Sequence, residues 1–180
     1  MTGLYLVLAL VALAGLLLAL SYNRLVRLRN KVAEAWRDVD VQLQRRHDLI
    51  PRLVEVVRGY ATHENELFAE LARLRDEART LHGAAEQSAP ESRLEVAVAE
   101  TIALAESYPS LRAAGNFLSL QREIAETENE IGAARIIYNG NVRIFNTRIQ
   151  TLPVSFYADL LGFEPASFFQ ADWAGGTGPS

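Results

Sequence analysis

The stretch from Asn116 to Leu152 contains neither a proline nor two adjacent glycines, so nothing in it stops a helix. Phe117, Leu120, Ile124, Thr127, Ile131, Ala134, Tyr138, Val142, Phe145, Ile149 and Leu152 follow one another at steps of three or four, which lays them along one helical face. At about 1.5 Å per residue such a rod reaches about 55 Å. A compact globule of 180 residues has no room for an element that long. The rod therefore predicts an elongated helical bundle, with its partner helices drawn from the rest of the chain.

Between Met1 and Asn23 no side chain is charged, and Leu4 to Leu20 is almost wholly Leu, Ala and Val. That length suits a helix crossing the hydrocarbon core of a bilayer. A cleaved signal peptide is the competing reading, since Ala12-Leu13-Ala14 resembles a cleavage site. Against it stand the missing basic n-region and the apolar run continuing through Leu16, Leu17 and Leu18. A retained anchor is expected. Arg24, Arg27, Arg29, Lys31 and Arg37 follow, with Glu34 the one acid among them, while no Lys or Arg precedes the run. The positive-inside rule then places the bulk of the chain in the cytoplasm and the short N-terminus outside. Arg24, Arg27, Arg29 and Lys31 form a membrane-proximal basic group suited to anionic lipid.

Leu25, Leu28, Val32, Ala35, Trp36, Val39 and Leu43 extend the helical spacing to about Arg46. Pro51, with Asp48 as N-cap, predicts a sharp bend there and a second helix from Leu53 to Leu81 with a four-three repeat. Residues 83–90 predict a loop, and Pro90 opens a shorter helix that ends before Pro109. Pro153 ends the rod. No segment alternates at strand spacing. The expected fold is all-α: an N-terminal transmembrane helix followed by an elongated antiparallel four-helix bundle with coiled-coil-like packing. The divisions are an anchor over 1–23, a bundle over 24–152, an aromatic-rich segment over 153–173 and a disordered tail over 174–180.

The chemistry is sparse. A net charge of -4, without a Lys/Arg block beyond the juxtamembrane one, argues against nucleic acid. Cysteine is absent, which removes thiolate ligands and nucleophiles. His63-Glu64 would need a histidine where Leu67 stands to make a zinc motif. Glu123, Glu126, Glu128 and Glu130 lack the Glu-x-x-His spacing of di-iron bundles, and Glu126 and Glu130 read as a solvated face. No serine-histidine-aspartate pattern and no phosphate loop is present. Neither an enzyme nor a cofactor is expected.

Three groups are interaction candidates. Arg45, Arg46, His47 and Asp48 sit at the expected bend; they read as a capping and surface ion-pair cluster, or as a basic corner for an anionic headgroup or partner acid. Asn129, Asn139, Asn141 and Asn146 are unusual on a rod, because Asn is a poor helix former. They are exposed, or fix register by hydrogen bonds, or make Asn139 and Asn141 part of a polar surface for another chain. Phe156, Tyr157, Phe163, Phe168, Phe169 and Trp173 crowd the last segment. They cover the end of the bundle, lie at the bilayer interface, or dock on a neighbouring subunit through Phe168 and Phe169.

YNRLVRLRNKVAEAWRDVDVQLQRRHDLIPRLVEVVRGYATHE from Tyr22, AESYPSLRAAGNFLSLQREIAETENEIGAARIIYN from Ala105, and the FNTRIQTLP and GFEPASFF segments resemble the LemA proteins of bacteria. The resemblance implies an N-terminal membrane helix, a short N-terminus outside and a four-helix cytoplasmic domain. Some relatives are associated with membrane remodelling around bacterial organelles, and others with envelope proteases. The expected role is a scaffold at the bacterial inner membrane that contacts the lipid bilayer and further copies of itself. A regulatory adaptor for an envelope protease or stress-response partner is the alternative, and a membrane protein or a protease is the possible partner.

Overall fold

The computed structural model describes residues 2–61 and 64–169, and every regular element among them is helical. Helix α1, Thr2–Arg58, runs 57 residues without a break. Its N-terminal part is long and apolar enough to cross a membrane, and its side chains there are not buried against the rest of the chain. Helices α2 (Asn65–Thr80), α3 (Ala84–Glu106), the single turn α4 (Pro109–Arg112) and α5 (Gly115–Gln150) follow. Two 3-10 turns, Val154–Phe156 and Asp159–Leu161, lead into an extended segment over 163–169. His63, Trp173 and the tail expected to be disordered lie outside the described residues.

The rod forms as its spacing predicts, but two boundaries differ. Pro51 neither ends nor sharply bends the chain; it lies inside α1. A proline lacks the N–H that would reach the carbonyl four residues back, that of His47. Arg75 of α2 replaces it, donating from Nε to the His47 carbonyl oxygen at 2.9 Å. Asp48 is therefore not a cap, and instead accepts from Gln44 Nε2 at 2.8 Å on the same helix. The chain turns after Arg58, where the Tyr60 and Ala61 N–H groups both return to the Val57 carbonyl. The second difference concerns residues 83–90. Only Gly83 turns there, with a φ of 87° open to glycine, and α3 starts at Ala84 with Pro90 inside it.

Helices α1 and α5 run antiparallel as the spine: Arg52 meets Glu123, Arg46 meets Glu128, and Ser21 meets Tyr157. Two apolar cores lie along this pair. In the distal one, Leu53 and Val57 pack with Phe68 and Leu71 of α2, Leu94 and Val98 of α3, and Phe117 and Leu120 of α5. In the proximal one, nearer the apolar end, Leu25, Val39 and Leu43 pack with Ile131, Val142, Phe145 and Ile149. Among the described residues α3 contributes only Ala84 to this core and α2 contributes nothing, and Phe163 and Phe169 of the C-terminal segment complete it. Each such buried side chain contributes about 1.5–3 kcal/mol, enough to hold a segment without regular structure against the helices.

Candidate functional site

The junction between the two cores is ionic. Arg46 continues the buried stripe Val32, Ala35, Val39 and Leu43 of α1, and Glu91 continues Ala84 and Gln87 of α3. Both are only 2% exposed. Arg46 donates from Nη2 to Glu91 Oε2 and to the Glu91 carbonyl oxygen, and from Nη1 to both carboxylate oxygens of Glu128 at 3.0 and 3.1 Å. His47 Nε2 lies 2.9 Å from Glu91 Oε1. Burial pushes the Glu91 carboxyl up, but the hydrogen bond to His47 and the charge of Arg46 outweigh it and hold the group below the usual carboxylate range. Burial likewise works against the Arg46 cation, and Glu128 and Glu91 overcome it.

This placement corrects the expectation of a surface cluster. Arg46 and His47 are interior, unavailable to a headgroup or partner acid, because α3 and α5 bring carboxylates to them. Arg45 and Asp48, one residue to either side, face outward. Glu126 and Glu130 are exposed as expected, whereas Glu123 and Glu128 turn toward α1 to meet Arg52 and Arg46. Among the described residues no three His, Asp or Glu side chains converge as metal ligands.

Two of the asparagines of α5, Asn139 and Asn146, serve this chain itself, while Asn129 is exposed. Asn139 donates from Nδ2 to the Phe169 carbonyl and accepts the Phe169 N–H, both at 2.9 Å. Asn146, seven residues on and so on the same face, does the same for Ala166 at 2.8 Å. Each carboxamide supplies a donor and an acceptor, as a neighbouring strand would. Tyr138 adds a bond from its hydroxyl to the Ser167 carbonyl at 2.7 Å. Asn141 is half-buried nearby. Phe169 is buried, its ring 5.4 Å from that of Trp36, while Phe168 keeps an outward edge.

Arg24, Arg27, Arg29 and Lys31 are all exposed just past the apolar run. Arg29 lies over the Phe163 ring at 5.3 Å, a cation–π contact that joins the basic group to the C-terminal segment.

The sequence signature of the LemA family matches residues 35–179. The chain belongs to the LemA family. It is 25% identical over 152 residues to Protein LemA of Metamycoplasma hominis, covering 83% of this chain and 68% of that one. It is 24% identical over 197 residues to Magnetosome protein MamQ 2 of Paramagnetospirillum magneticum, covering 95% of this chain and 72% of the relative. Magnetosome protein MamQ of Magnetospirillum gryphiswaldense is similar at 23% over the same shares. The LemA match takes in the ionic junction, the asparagine clamp and the extended segment together. Beside them this LemA chain carries a groove of about 280 Å³ between α1 and α5, with Ala35, Val41, Gln42, Ala133, Ala134 and Ile137 along it and the acids Asp38 and Glu130 also in its lining.

Proposed function

We propose that this LemA-family chain is a membrane-anchored scaffold that self-associates at the bacterial inner membrane, its short N-terminus outside and its elongated antiparallel bundle, packed in coiled-coil fashion, in the cytoplasm. The observation that carries it is the uncovered apolar side of the proximal spine. Val41, Ile137 and Ile144 are exposed there, beside Ala35, Ala133 and Ala134, which permit close helix approach, and among the described residues neither α2 nor residues 163–169 line this groove. Gln42 Oε1, at the same groove, is buried with no hydrogen-bond partner among the described residues.

A second copy fits this face for a geometric reason. All anchored copies insert with one orientation, so a two-fold axis along the membrane normal brings the same groove of both chains together and leaves the spans parallel. Confinement to one membrane raises the local concentration and favours even weak pairing.

Because the chain has no cysteine, a single introduced thiol reports one site. With Ile137→Cys in reconstituted vesicles, oxidation should yield cross-linked dimers, whereas exposed Glu100→Cys on α3 should not. Light scattering of the detergent-purified chain should give a mass above one protomer. A monomer without Ile137 cross-links would overturn the scaffold and direct the search to a different membrane protein as partner.

A further inference from the structure

We propose that the turn over residues 152–161 is a second membrane contact, in which Leu152, Phe156 and Leu160 enter the interfacial layer of the lipid beside the span. The inference rests on the apolar part of α1 crossing a bilayer, and adds a contact that this anchor alone does not require.

Two contacts fix the height of the turn. The Tyr157 hydroxyl meets Ser21 Oγ at 2.6 Å, and Ser21 directly follows the exposed apolar run that ends at Leu20. The Tyr22 and Phe163 rings stand edge to face at 5.6 Å. About 20 helical residues cross the hydrocarbon, so with Thr2 near one boundary Ser21 lies near the other. Tyr157 and Tyr22 then stand where aromatic rings with a polar tip are enriched.

The turn itself is apolar outward. Val154 and Ala158 are buried and hold it to the proximal core, while Phe156 is 82% and Leu160 88% exposed, and Leu152 and Leu161 are exposed as well. Exposed apolar groups clustered this closely mark a contact surface. Its occupant follows from continuity: the neighbouring surface at this height is the uncovered span, so lipid that coats Leu20 also reaches the turn. Asp159 is the one charged residue between Leu152 and Leu161, and its exposed carboxylate belongs at the headgroups. Arg29, held over Phe163 beside the turn, offers a cation at the same layer.

The test uses the full-length chain in vesicles of phosphatidylcholine and phosphatidylglycerol, with an environment-sensitive fluorophore on one introduced cysteine. Probes at Leu13→Cys in the span, Asp159→Cys in the turn and Glu100→Cys on α3 are compared for quenching by spin-labelled lipids, with the label near the headgroup for Asp159 and Glu100 and midway along the acyl chain for Leu13. The Asp159 probe should be quenched at least fivefold more than the Glu100 probe. Serine at both Phe156 and Leu160 should remove most of that difference while leaving Leu13 unchanged. A turn probe as unquenched as Glu100 beside a quenched Leu13 probe overturns the second contact and leaves the anchor standing. Quenching that survives the double serine variant overturns it too, because mere proximity would then explain the signal. An unquenched Leu13 probe overturns the anchor and the inference together.

Discussion

Arg75 stands in for the N–H that Pro51 lacks, donating from Nε to the carbonyl oxygen of His47 at 2.9 Å. A proline inside a helix costs roughly 3 kcal/mol, part of it through the carbonyl left unpaired four residues back. In this chain that carbonyl becomes the acceptor that ties α2 to α1, on the residue next to the buried Arg46.

The tie makes Pro51 and Arg75 energetically dependent. Arg75→Met should lower stability by roughly 1–3 kcal/mol, because a half-buried acceptor loses its donor. In a Pro51→Ala background the restored N–H serves His47, and Arg75→Met should cost far less. Thermal unfolding of the two single variants and the double variant, followed by circular dichroism, measures the coupling. Strict additivity would show that the two residues act independently.

Glu91→Ala should destabilise by about 3–5 kcal/mol, since it strands the buried Arg46 cation. Arg52→Ala, which breaks the exposed pair with Glu123, should cost about 1 kcal/mol or less. The Glu91 carboxyl is held low in the folded chain, so its stabilisation is complete above about pH 4.3, the value of a free glutamate. It is lost as pH falls through the lower folded value. Melting temperature should therefore drop below about pH 4 in the native chain and fall less steeply in Glu91→Gln. Parallel acid profiles for the two proteins would remove Glu91 from that role.

Asn139→Ala and Asn146→Ala should each loosen residues 163–169 without unfolding the spine. Asn139→Asp should be worse than Asn139→Ala, because a carboxylate keeps the acceptor for the Phe169 N–H but faces the Phe169 carbonyl with no donor. Hydrogen exchange across 163–169 reads this directly, with protection expected to fall about tenfold per lost pair of bonds at roughly 1.4 kcal/mol. Unchanged protection would mean that Phe163 and Phe169 alone hold the segment.

Replacing Arg24, Arg27 and Lys31 with Gln should make insertion less uniform, because it removes three of the five cations that set the charge asymmetry around the span. Accessibility of an N-terminal tag in intact bacterial cells gives the answer. A uniform orientation in the triple variant would place the determinant elsewhere.

The rod was legible because its apolar face repeats without interruption, and α5 starts and stops within two residues of the predicted limits. The end of α1 was not, because a proline is a boundary only when no outside group satisfies the carbonyl it frees, and Arg75 lies 24 residues further along the chain. The ionic junction hid behind the rule that charge goes to the surface. Its signal was nevertheless present: Arg46 keeps the phase of Val39 and Leu43, and Glu91 that of Ala84 and Gln87. The seven-residue spacing of Asn139 and Asn146 likewise marked one face, but the strand-like segment they hold could not be paired with them before the chain was folded.

The unbroken course of α1 makes the chain a lever. Once its first 20 residues lie in a bilayer, the remaining 37 carry the distal bundle about 55 Å from the surface on the same axis. Tilting the lipid-embedded end by one degree sweeps the far tip by about 1 Å, and rotating it turns every face of the bundle by the same angle. Changes in bilayer thickness, which helices meet by tilting, would thus be written into the height and bearing of the distal tip.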